Sequence, residues 1–60
     1  MTNFRNELEE NVEYLATVNG EEWAVVLKDD GNVYDAECNE IVATYESWLR
    51  DPTIENVHER

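Results

Sequence analysis

The segment Asn19–Glu37, NGEEWAVVLKDDGNVYDAE, contains the one long apolar run of the chain, Trp23-Ala24-Val25-Val26-Leu27. Asn19-Gly20 precedes that run and Asp30-Gly31 follows it. Both pairs suit the positive φ angles at the centre of a two-residue hairpin turn. Glu21–Lys28 therefore reads as the central strand of an antiparallel meander of three strands. A turn at Asn19-Gly20 pairs Val18 with Glu21, Ala16 with Trp23, Tyr14 with Val25 and Val12 with Leu27. A two-residue turn at Asp30-Gly31 pairs Leu27 with Tyr34, Val25 with Ala36 and Trp23 with Cys38. Directly opposed residues share a face. One face then collects Val12, Tyr14, Ala16, Trp23, Val25, Leu27, Tyr34, Ala36 and Cys38, without a charge among them. A slip of one residue would bring Asp35 and Glu37 onto it.

Outward from the meander the period changes. Thr2 or Asn3 can cap a helix starting at Phe4, with Phe4 and Leu8 on its apolar side. Two readings meet at residues 12–18. The helix continues to Val18 and stops at Gly20, as the Glu, Leu and Ala content favours. Alternatively it ends near Asn11 and Val12–Val18 is the first strand, the reading preferred here because it matches the register. Beyond Glu37, the residues Cys38, Ile41, Val42, Tyr45, Trp48 and Leu49 recur at helical spacing. They predict an amphipathic helix over about residues 39–50, with Asn39 as cap and Glu46 one turn before Arg50. Asp51-Pro52 ends it, because a residue before proline avoids the α region. Residues 52–60 form a short helix or a frayed tail. The expected fold class is thus α+β in a single domain. A three-strand antiparallel meander carries an N-terminal and a C-terminal helix packed on one face.

Sixty residues with one cysteine leave no internal disulfide to reinforce a small core. A lone thiol, with neither a signal-like nor a membrane-length apolar run, points to a reducing, cytoplasmic setting. Fifteen acids against four bases give a formal net charge of −11. Such a balance disfavours direct contact with nucleic acid or an anionic membrane, and favours a basic partner.

Catalytic chemistry finds no support in the residue pattern. Cys38 lies on an expected core face, His58 stands alone near the C-terminus, and Ser47 has no glycine-rich elbow. No Cys/His set has zinc spacing. Asp29-Asp30-Gly31-Asn32 fails the EF-hand pattern in either frame, since glycine and the closing glutamate fall at the wrong positions. The reading is a non-enzyme with no metal and no cofactor.

Binding residues remain. Glu9, Glu10 and Glu13, with Glu21 and Glu22 at the first turn, form one candidate acidic array. Asp29, Asp30 and Asp35 form a second. On the outward sheet face Leu15 faces Ala24, with Val26 and Val33 nearby, an apolar spot inside an acidic rim. Val26 with Val33 is the candidate anchor, and the same patch suits a homodimer. The alternative is that Ile54 and Val57 of the tail cover this face.

Small acidic chains without catalytic residues resemble phage-encoded inhibitors of nucleic-acid enzymes. Some of those imitate the DNA backbone, among them inhibitors of restriction enzymes, of CRISPR effectors and of uracil-DNA glycosylase. Trp23-Ala24-Val25-Val26-Leu27-Lys28-Asp29 is similar in type to a core strand of the last group, and Met1-Thr2-Asn3 is similar to its opening. The Glu-Ser-Asp edge of that inhibitor is missing here, and no site residue carries over. The resemblance implies an inhibitor that occupies a basic nucleic-acid-binding surface of a host or defence enzyme. The other expectation is a small structural or regulatory subunit, an adaptor acting through partner or homodimer contacts without mimicry.

Overall fold

The computed structural model describes residues 6–60. Five strands and one short helix follow in the order β1 (Glu13–Val18), β2 (Glu21–Leu27), β3 (Asn32–Asp35), β4 (Ile41–Thr44), α1 (Tyr45–Arg50) and β5 (Ile54–Glu59). They build one antiparallel sheet in the spatial order β4-β3-β2-β1-β5. The expected meander with two flanking helices is therefore corrected. Its central hairpin is present, but the sheet is larger and the helical part much smaller.

The β1–β2 hairpin follows the turn chemistry. Asn19 and Gly20 both take positive φ, 52° and 87°. The register pairs Val18 with Glu21, Ala16 with Trp23 and Tyr14 with Val25, and residues 13–18 are strand rather than helix.

The second hairpin departs from expectation by one residue. Lys28 N–H donates to Asn32 O and Gly31 N–H to Lys28 O, both at 3.1 Å. Asp29, Asp30 and Gly31 thus make a three-residue loop, with Gly31 at φ 84°. Leu27 now faces Val33, Val26 faces Tyr34 and Val25 faces Asp35. Because strand side chains alternate, this slip turns Val33 into the core and Tyr34 out of it. Asp35 ends the strand. Its Oδ1 accepts the backbone N–H of Glu37 at 2.8 Å and of Cys38 at 3.4 Å, which turns the chain. Cys38, expected in the core, is exposed in that turn.

Where a helix is predicted from residue 39, the chain forms β4 instead. Three of its four residues, Ile41, Val42 and Thr44, are β-branched and favour a pleated surface. Asn39 takes φ 60° in the preceding turn rather than capping a helix. The cap belongs to Thr44, whose hydroxyl accepts Ser47 N–H at 3.2 Å. The helix ends at Asp51 as Asp51-Pro52 requires, and Glu46 lies 3.8 Å from Arg50 along one turn.

The tail pairs with β1 as an edge strand. Ile54 and Val57 are three residues apart, a spacing that sends side chains to opposite faces of a regular strand. A bulge accompanies Asn56, at φ 54°, and returns both to the core side. The tail therefore does not cover the outward face.

One sheet face is covered. Trp48 of α1 and Leu8 of the N-terminal segment pack there with Tyr14, Ala16, Val25, Leu27, Val33 and Ile54. Residues 6–12 are not helical, while the expected helix start at Phe4 lies outside the described residues. An irregular segment must find partners for its backbone polar groups. Here Tyr45 Oη receives Leu8 N–H at 2.9 Å and donates to Leu8 O at 3.2 Å. Tyr14 Oη receives Glu9 N–H at 3.1 Å. Asn6, 1 % exposed, donates from Nδ2 to Trp48 O and Asp51 O at 2.9 and 3.0 Å. These are carbonyls of the helix end, so Asn6 serves as a cap supplied from a distant part of the chain. Trp48 Nε1 returns a bond to Asn6 O at 2.8 Å.

Candidate partner-binding surface

The register separates the first acidic array. Glu13 lies opposite Val26 and Glu21 opposite Val18, at the two ends of β1. Five residues of antiparallel strand span roughly 17 Å. Glu9, Glu10 and Glu13 therefore do not form one array with Glu21 and Glu22. Glu10 instead bridges to Leu27, which brings it to the sheet end carrying Asp29 and Asp30. The structure thus gathers Glu9, Glu10, Glu13, Asp29 and Asp30 at one end. Glu21 and Glu22 lie at the other, toward which Asp35, Glu37 and Glu40 run in the β3–β4 connection.

These acids differ in what they already hold. Glu13 pairs with Arg60 at 3.2 Å. Asp35 is half-buried and committed to its turn. Asp30 Oδ1 accepts Asn32 N–H at 3.0 Å, and its Oδ2 accepts the Tyr34 hydroxyl. The Tyr34 bond, then the Asn32 backbone bond, hold the Asp30 carboxyl below the ordinary 3.8. Asp30 in turn pushes Tyr34 above the ordinary 10.0, first by that hydrogen bond. Glu9, Glu10, Glu21, Glu22 and Asp29 are exposed and have no ion pair among the described residues.

The candidate anchor is reassigned in part. Val33 is fully buried and cannot touch a partner. Val26 remains on the outward face, half-buried, with Tyr34 directly opposite. Leu15 faces Ala24 one row away, and Ile41 faces Tyr34 from β4. Ile41 is 59 % exposed, the large apolar side chain most open to solvent among the described residues. Lys28 Nζ stands 5.4 Å over the Tyr34 ring at the margin of this patch. Tyr34 escaped the sequence reading because it depends on the three-residue loop, and Ile41 because it falls in the segment expected to be a helix. Asp-Asp-Gly-Asn, with glycine third, was the available signal for the loop.

No helix among the described residues is long and apolar enough to cross a membrane. Nor do three or more His, Cys, Asp or Glu side chains among them converge to hold a metal ion. No family model matches the chain, and no curated protein or solved structure matches it either.

Proposed function

We propose that this chain is a non-catalytic binding protein that occupies a basic nucleic-acid-binding surface of another protein, in the manner of a DNA mimic. The observation that carries the reading is the net charge of −11. All fifteen acids lie in the described part of the chain, and two of them, Glu13 and Glu46, are in ion pairs there. A field of that sign steers the chain toward a basic channel, and salt weakens the steering. Charge supplies rate and register more than affinity, so an apolar anchor is also required. Val26, Tyr34 and Ile41 fill that role on the outward face. The second reading, an adaptor or homodimer without mimicry, is favoured by the same face, because no described element covers it.

Capture of partners on the tagged chain at low and high salt, followed by displacement of labelled DNA or RNA, separates the two. Mimicry expects direct competition. It also expects Glu9→Lys with Glu10→Lys to weaken binding by about tenfold or more, well beyond Glu55→Lys with Glu59→Lys. Equal effects at both sites, or a partner holding this chain and nucleic acid together with neither affinity altered, leaves the adaptor.

A further inference from the structure

Resting on that reading, the geometry points to the edge of β4, unpaired among the described residues, as the place where an extended, lysine- or arginine-bearing segment of the partner adds to the sheet. Among the described residues the sheet has two edges, β4 and β5. Exposed edges invite pairing, and charged side chains discourage it. Along β5 stand Glu55, His58 and Glu59, whereas β4 reads Ile-Val-Ala-Thr with no charge.

Hydrogen bonds on the inner side of β4 define what its outer side offers. Asp35 N–H donates to Glu40 O at 2.8 Å, so the next pair, Tyr34 with Ile41, is a non-bonded pair of the ladder. In such a pair the N–H and C=O groups point away from the neighbouring strand. Ile41 N–H and C=O therefore face outward. Tyr45 N–H bonds Gly31 O at 2.9 Å, and the same alternation turns Thr44 N–H outward. A strand laid along β4 meets these groups and carries its alternate side chains to the two faces of the sheet. One set lies beside Ile41 and Tyr34. Near the start of β4 a cleft of about 260 Å³ is lined by Trp23, Asp35, Cys38, Glu40, Ile41 and Val42. Its indole and carboxylates suit the stem and head of a lysine or arginine.

Charge selects the occupant. Asp35, Glu37 and Glu40 lead into β4 and Glu46 follows it, with no base between Asp35 and Glu46. A second copy would bring −11 against −11. A basic extended segment meets the edge with the opposite sign.

The test is an amide-resolved NMR titration of the full chain with a short, end-capped peptide of alternating lysine and valine. Shifts centred on Glu40–Thr44, weakened about tenfold when alternate peptide nitrogens are methylated, are expected. Methylation removes strand donors and leaves charge intact, so the result does not depend on any variant folding. Ile41→Pro, which removes an outward N–H, should weaken binding similarly while the other strands keep their shifts. Shifts centred on Glu9, Glu10 and Asp29, or indifference to methylation, overturn the edge assignment. So do β4 shifts that depend on protein concentration without peptide, which indicate a second copy. Salt-sensitive partner capture that ignores Ile41→Pro also overturns it, yet leaves the proposed function standing.

Discussion

Val26 and Val33 show how much a single register step decides. Both are valines on neighbouring strands, yet Val33 is sealed in the core and Val26 stays half-buried on the open face. Val33→Glu should leave the chain unfolded by circular dichroism, since an unpaired buried charge costs several kcal/mol and a core this small supplies about 3–5 kcal/mol. Val26→Glu should fold and lose partner binding. A folded Val33→Glu protein would mean that the two-residue loop, not the three-residue one, exists in solution. Tyr34 offers a second check at this scale. Its pKa is raised mainly by the bond to Asp30. The stability from that bond is whole below 10.0 and is lost as pH rises through the raised folded value. At the acid end the Asp30 contribution is whole above 3.8 and is lost as pH falls through its depressed folded value. Phenolate absorbance should show Tyr34 titrating lower in Asp30→Asn than in the native chain. An unchanged curve would mean that the bond does not persist in solution.

At the scale of elements, the tail is the unexpected contributor. Residues read as frayed or helical form β5, and Ile54 is 1 % exposed in the core. Arg60 N–H still bonds Glu13 O at 3.0 Å, so pairing runs to the chain end. A chain ending at Thr53 should lose its cooperative thermal transition, because removing Ile54 alone opens a cavity worth about 2–5 kcal/mol. Retention of that transition would show β5 to be dispensable. The helix α1 is six residues long, too short to hold itself in water. Its order comes from Trp48 in the core, Thr44 at one end and the Asn6 amide at the other. Among the described residues four positions with positive φ carry asparagine, Asn11, Asn19, Asn39 and Asn56. Asparagine tolerates that region better than other residues with a side chain. Only Asn19-Gly20 was legible as a turn beforehand. Asn39 and Asn56 sit in segments whose apolar spacing imitates a helix, because a turn and a bulge each reset the alternation.

For the whole molecule, self-repulsion is the dominant electrostatic term. Raising salt from about 10 mM to 150 mM shortens the screening length from roughly 30 Å to 8 Å. The melting temperature should rise with it, by about 4–8 °C for each kcal/mol of repulsion relieved. Binding to a basic partner should weaken over the same range. A melting point indifferent to salt would show the acids too far apart to repel, and would remove the steering that the proposed function requires. The central hairpin and the acidity were properties of the sequence itself. Asn-Gly between alternating apolar residues specifies one register locally, and charge is a sum over residues that needs no fold. The inward face of β2 followed from the same alternation. The register of β3 follows from the three-residue loop that Asp-Asp-Gly-Asn signals, whereas tertiary structure decided the strand character of residues 41–44 and 54–59 and the division of the acids between two sheet ends. Each depends on which strand a segment pairs with, and its own apolar spacing does not show that. Ile41–Thr44 becomes a strand because the edge of β3 offers it a ladder, and Ile54–Glu59 because β1 does. β1 is far from β5 in sequence, and although only residues 36–40 join β3 to β4, the apolar spacing from Cys38 to Leu49 imitates a helix and hides that pairing.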